Sequence, residues 1–243
     1  MTDTLKAGGT DRATRAQMIM DAAADLLLQH GYRRVTIDGV ARAAGVGKGT
    51  VYLHWHSREE LLLGVLLRES AELTDELVEC LRTDPRDVLP HRMSPLAYLA
   101  TYRRPLTRAM FTQDAGMIGR LLETEAGRQL QASKARLTEI YYRTLVDHGM
   151  VREELDLGQV VFGSISTAFG FFTVSGLVPM TPEMTVENRA AILAHVMRHA
   201  FETPDAENRP DLPVVAGKVA DEYERFRDMC WAEAHGRGRE TPA

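Results

Sequence analysis

The chain has 243 residues, enough for two small domains or one large one, and its 44% hydrophobic and 26% charged residues are ordinary for a globular protein. A net charge of -5 argues against a globally basic nucleic-acid binder, yet residues 1–58 hold eight Lys/Arg against five Asp/Glu and the remainder holds 21 against 29. A modestly basic head on an acidic body fits a local phosphate-binding surface instead.

Cys80 and Cys230 fit no metal or redox spacing, which reads as a reducing, cytoplasmic compartment, and the amino-terminal stretch has no apolar core of the kind a signal peptide needs. Residues 1–10 are polar and glycine-bearing and read as a flexible arm. Thr10 or Asp11 can cap a first helix whose stripe of Met18, Ile19, Ala22, Ala23, Leu26 and Leu27 buries one face, with Gly31 as its left-handed stop. A second short helix opens at Thr36, carries Ile37, Val40, Ala41 and Ala44 inward, and is stopped by Gly45. After the turn at Val46 a third short helix starts at Gly47 and ends near His54.

Ser57-Arg58-Glu59-Glu60 is a capping box, and it opens a long helix with Leu61, Leu62, Val65, Leu66, Leu73, Leu77 and Leu81 on one face. Pro85, Pro90 and Pro95 mark a linker or corner. Helical patterns then cover 96–150, with breaks near Pro105 and Gly116, followed by about 158–178, 185–201 and 213–235. No strand-period alternation of useful length occurs, so the expected fold class is all-α.

Two short helices joined by a tight turn, the second exposing small and basic residues, form a helix-turn-helix pattern, whose second helix enters the DNA major groove. Lys48 can reach a guanine edge or a phosphate, Thr50 a phosphate or a thymine methyl, and the glycines let backbone approach DNA closely. The run from Thr36 to Leu61, with Ala44-Gly45-Val46 at the turn, Gly49-Thr50-Val51-Tyr52 in the recognition helix, and Ser57-Arg58-Glu59-Glu60-Leu61 after it, resembles the signature of the tetracycline-repressor (TetR) family. The resemblance covers residues 11–66. Gly47 stands where that family usually has serine, Gly39 where an acidic residue is common, and Arg58 replaces a lysine. Gly39 should weaken its helix by ~0.5–1 kcal/mol relative to alanine.

The resemblance implies a helix-turn-helix domain over 11–57, a connecting helix over 58–84, and a helical ligand-binding and dimerisation domain over 85–243. It implies a homodimer that binds double-stranded operator DNA and answers to a small-molecule effector, with no cofactor and no membrane. The expected DNA-binding residues are Thr36, Gly47, Lys48, Gly49, Thr50, Tyr52, Leu53, His54 and Arg58. A pocket for a mostly apolar effector is expected from Tyr98, Tyr102, Met110, Phe111, Met117, Tyr141, Phe162, Phe169 and Phe172, because aromatic and methionine side chains suit such ligands. Arg103 and Arg104 could receive an anionic one. Family layout places the dimer on Gly163, Thr167, Gly170, Val174, Leu193 and Met197, whereas plain core burial would serve any one of them equally well.

Rival readings have weaker support. A phosphate-cradling loop needs Ser or Thr directly after Gly-Lys, and here Gly49 follows Lys48. Leu157 to Pro182 is uncharged and long enough to raise a membrane span, but its flanks, Asp156 and Glu183, are both acidic. His195 and His199 stand four apart, yet no third metal ligand completes a set, so no metal is expected. No nucleophile or metal motif argues for an enzyme. An activator whose body binds a protein partner, with 213–235 as its surface, is the alternative to a repressor.

Overall fold

A computed structural model describes residues 4–112, 118, 121–177, 179 and 181–235, with backbone only at 4–11, 175 and 176. Ten α-helices lie among the described residues: α1 Thr4–His30, α2 Ile37–Ala43, α3 Lys48–Tyr52, α4 Arg58–Thr83, α5 Pro90–Tyr102, α6 Pro105–Thr112, α7 Glu125–Asp147, α8 Leu157–Leu177, α9 Val186–Phe201 and α10 Leu212–Ala234. The β-pairing among these residues is one bridge, Val151 to Glu202. The all-α expectation is met.

The helix ends follow from local chemistry. The side chains of Thr36, Ser57, Thr124 and Thr185 each accept a backbone N–H three residues on, opening α2, α4, α7 and α9. Each such cap contributes about 1 kcal/mol. At Ser57 the reciprocal bond departs from the usual box, since Glu60 accepts from the N–H of His56 at 2.6 Å. Gly31 and Gly45 take φ of 69° and 68°, the left-handed region that a side chain resists.

Two expectations are corrected. Residues 4–10 are helical, so α1 starts at Thr4 and neither Thr10 nor Asp11 caps it. A helix anchored by a buried stripe extends readily, because each further residue adds one hydrogen bond without a new nucleus. Pro90 and Pro95 do not form a linker. Pro90 sits at the start of α5, where its missing N–H costs nothing, and Pro95 lies inside the same helix.

Two apolar clusters form the core. The first joins α1, α2 and Val51 of α3 to the first half of α4, then continues into Leu106, Leu121, Leu130, Phe226, Cys230 and Ala234. The second packs the far end of α4 against α5, α9 and the start of α10. Helices α4, α7 and α10 run through both clusters, with α10 packed along α4. The leucine face expected on α4 is buried throughout its length. Burying one such side chain fully is worth ~1.5–3 kcal/mol.

Candidate nucleic-acid interface and ligand cavity

The helix-turn-helix is built on a dry interior. Ile37, Val40, Ala41, Val51 and Trp55 are buried, which leaves the opposite edge of α3 to solvent. Gly47, Lys48 and Gly49 are exposed, Thr50 is half-buried, and Tyr52 and Leu53 are 43% and 71% exposed. Gly47 takes φ -72° and ψ 149° and offers α3 no capping side chain. A Cβ on Gly49 would meet nothing within 4 Å, so no protein contact demands glycine there, and the backbone is open to close approach.

Lys48 Nζ lies 3.0 Å from Asp38 Oδ1 on the neighbouring helix, and that hydrogen bond, followed by the carboxylate's charge, raises its pKa. Both side chains are well exposed, so the pair is weak and the ammonium can exchange to a phosphate or a base. Thr36 is exposed beside them as the α2 cap.

Two of the nine expected DNA-contact residues serve the scaffold instead. His54 is 5% exposed, and burial, then the charge of Arg12, lowers its pKa, so it is a neutral core ring tilted against Trp55. Arg58 donates to the carbonyl of Val35 at 3.1 Å, pairs with Glu59, and lies 4.3 Å over the Tyr32 ring. Its guanidinium fastens the start of α4 to the segment before α2.

A cavity of about 430 Å³ lies between α4, α5, α6, α7, α8, α9 and α10. It gathers six of the nine expected pocket residues: Tyr98, Met110, Phe111, Tyr141, Phe169 and Phe172. Rings make up one wall. Phe172 stands 4.8 Å from Tyr98 and 5.0 Å from Phe111, and Phe169 stands 5.5 Å from Phe111, all by centroids. Phe162, nearer the start of α8, does not join it and is 75% exposed. Tyr102 is outside as well, with the guanidinium groups of Arg108 and Arg189 over its ring. Met117 lies outside the described residues. Arg103 and Arg104 are also not at the cavity, since both pair with Glu76.

Sequence reasoning missed Lys134, Tyr142, Tyr223 and Phe226, all lining residues. Lys134 had a readable signal: Leu130, Lys134, Leu137 and Tyr141 fall on one helical stripe, so the lysine interrupts an apolar face.

The six residues expected at a dimer contact divide. Leu193 and Met197 are buried within the chain and line the cavity, so they are not on an interface. Their positions on α9 look inward because α5 and α8 cover that face. A Cβ on Gly163 would lie 2.9 Å from the Phe201 ring, so its small size serves packing inside the chain. Thr167, Gly170 and Val174 lie along a shallow apolar groove with Phe171, Met184 and Ile192. The rings of His195 and His199 lie 4.1 Å apart by centroids, tilted, on the exposed face of α9, and no group of three metal-ligating side chains occurs among the described residues. Helix α8 is long and apolar enough to cross a membrane by length and composition.

Fold and site together define an all-helical protein with a helix-turn-helix head and a cavity-bearing helical body. Residues 19–65 match the family model for bacterial regulatory proteins, tetR family. It is 40% identical over 68 residues to the HTH-type transcriptional regulator YhgD of Bacillus subtilis, covering 27% of this chain and 36% of that one. It is 38% identical over 66 residues to the HTH-type transcriptional regulator AlkX of Mycobacterium tuberculosis, covering 27% and 31%. The chain thus spans about a third of the length of these curated relatives. Among solved structures, SmeT, the repressor of the Stenotrophomonas maltophilia multidrug efflux pump SmeDEF, matches with a TM-score of 0.57 and 20% identity over 79% of this chain and 92% of SmeT. A SmeT–triclosan complex matches with a TM-score of 0.58 at 20% identity, covering 79% and 94%. At that identity the likeness shows the fold.

Proposed function

We propose that this protein is a ligand-responsive DNA-binding transcriptional regulator, a repressor that leaves its operator when a mostly apolar small molecule fills the cavity. One observation carries the reading: two helices that line the cavity also hold the DNA-binding head. Ser70, Leu73 and Thr74 of α4 face the cavity, while the start of α4 is capped at Ser57 beside α3, and Arg68 of α4 pairs with Asp21 of α1. Tyr223 and Phe226 of α10 also face the cavity, and the carbonyl of Ala234 near its end accepts from Trp55 Nε1 at 3.1 Å. A ligand that shifts either helix therefore shifts the base of the recognition helix. That supplies the differential contact that release requires.

Operator contact falls to Lys48, Thr50, Tyr52 and Leu53, the glycine backbone, and Thr36. A two-fold copy of the chain places two such edges in successive major grooves, about 34–36 Å or a multiple apart. The homodimer forms through the outer face of α8 and α9, where Phe162, Val174, Leu177 and Ile192 are exposed apolar residues on a chain segment without charge in α8. A site in the cytoplasm agrees with both cysteines being free.

Selection from a random duplex pool with the purified chain should recover a two-fold symmetric site, and Lys48→Ala should weaken binding to it by about tenfold and lower the salt slope by about one. Dimerisation should be unchanged. No enrichment over scrambled duplex would end this reading.

A further inference from the structure

The cavity contains one charged residue among its described lining, and that residue is a cation. Lys134 stands on α7, and the contacts of its ammonium are soft: Met110 Sδ at 3.9 Å and the Phe111 ring at 5.9 Å. No carboxylate among the described residues pairs with it. The carboxylates that α4 carries beside the cavity are engaged elsewhere, Glu69 by the hydroxyl of Thr107 and Glu76 by Arg103 and Arg104. Cys230, the other titratable group near the ammonium, is a neutral thiol, since burial pushes it up to about 12.

Five other hydroxyls of the wall are engaged within the protein. The hydroxyls of Ser70, Thr74, Thr138 and Ser164 donate to carbonyls of their own helices, and Tyr141 donates to the carbonyl of Val88 at 2.8 Å. Lys134 is the charged donor of a described wall whose other residues are neutral and largely apolar or aromatic. Lys134 is half-buried, no described carboxylate makes up for the hydration its ammonium loses, and an anion inside the cavity would. A carboxylate there gains a charge-assisted hydrogen bond in a low-dielectric setting.

We propose that Lys134 is the anion-binding end of the cavity, and that the effector is an organic monoanion whose carboxylate is carried on an apolar chain or ring body. The assignment rests on the reading of this cavity as the effector site. The lysine receives the carboxylate, while Tyr98, Phe111 and Phe172 cover the apolar body. Charge at one end and rings along the wall would also fix the direction in which the ligand enters.

Calorimetric titration of the full chain with two acid–alcohol pairs tests it: decanoate against decanol, and naphthoate against naphthalenemethanol. Each acid should bind at least about tenfold more tightly than its alcohol, a difference of ~1.4 kcal/mol. Lys134→Met should abolish that preference while leaving the alcohols within about twofold, and Lys134→Arg should keep it. The assignment is overturned if acid and alcohol bind alike in the unaltered chain, if neither acid binds, or if the preference survives Lys134→Met. Acids that bind with the expected preference but leave the operator complex intact would support the anion site and count against release by ligand.

Discussion

The head and the body of this protein are built on different length scales. The devices that start and turn the helices of the head act within a few residues: the Thr36 cap on Gly39, the left-handed Gly45, the Ser57 cap on Glu60. The cavity instead draws on seven helices, with lining residues spread from Ser70 to Phe226. The two regions nevertheless share one apolar cluster, and Trp55 reaches a carbonyl 179 residues away. The difference teaches that a local pattern can specify a shape without that shape being independent of the rest.

The hardest test of that shared core is Trp55. It is fully buried, so Trp55→Ala should cost about 3–5 kcal/mol and lower the denaturant midpoint of the whole chain. Trp55→Phe keeps most of the ring and removes the N–H, so it should cost less, about 1–3 kcal/mol. If the head melts separately while helix α10 and the body keep their midpoint, the head is autonomous and the coupling through Ala234 is lost as an explanation.

The next effect belongs to the body alone and is a pH dependence. Burial lowers the pKa of Lys134 from 10.5 to about 8. The folded value lies below the unfolded one, so the ammonium is full below about 8 and is lost as pH rises through it. The preference for an acid over its alcohol should therefore be flat below that pH and decline above it, toward tenfold per unit. Cys230 and the cavity tyrosines Tyr141, Tyr142 and Tyr223 are all pushed upward by burial and add no charge in that range. The unfolded chain binds the extra proton between about 8 and 10.5, so stability should rise with pH across that window. A flat preference to pH 10 would place the anion on some other group.

The smallest effect concerns the head. Gly47 has a backbone that any residue can adopt, and a Cβ there would meet only Thr50 Oγ1, at 3.8 Å. Gly47→Ser should therefore fit, add a few tenths of a kcal/mol by capping α3, and tighten operator binding by a phosphate contact. A loss of stability would mean that the head depends on glycine for a reason its backbone does not reveal.

Much of this was legible in advance, and the errors have physical causes. The all-helical class, the turn at Gly45 and the capped starts at Thr36 and Ser57 follow from spacing and side-chain chemistry that need no partner. His54 and Arg58 depart from the expected contact set because residue type signals charge and reach, whereas burial and carbonyl acceptors decide what those groups do. Residue type alone suggests Phe162 and Tyr102 for the cavity, and family layout suggests Leu193 and Met197 for the outside, whereas on the almost wholly apolar α8 no phase chooses a face. Lys134 breaks the stripe of Leu130, Leu137 and Tyr141, which is the mark its position leaves in the sequence.

By itself, the sequence determined the helices, their caps and the shape of the reading edge, since these depend on backbone hydrogen bonds closed within one or two turns. Only the tertiary structure decided which faces of α8 and α9 look inward, that one lysine is the charge in the described cavity wall, and that α10 returns to hold Trp55. Those depend on which surfaces meet across the whole chain, and burial, unlike periodicity, has no period to read.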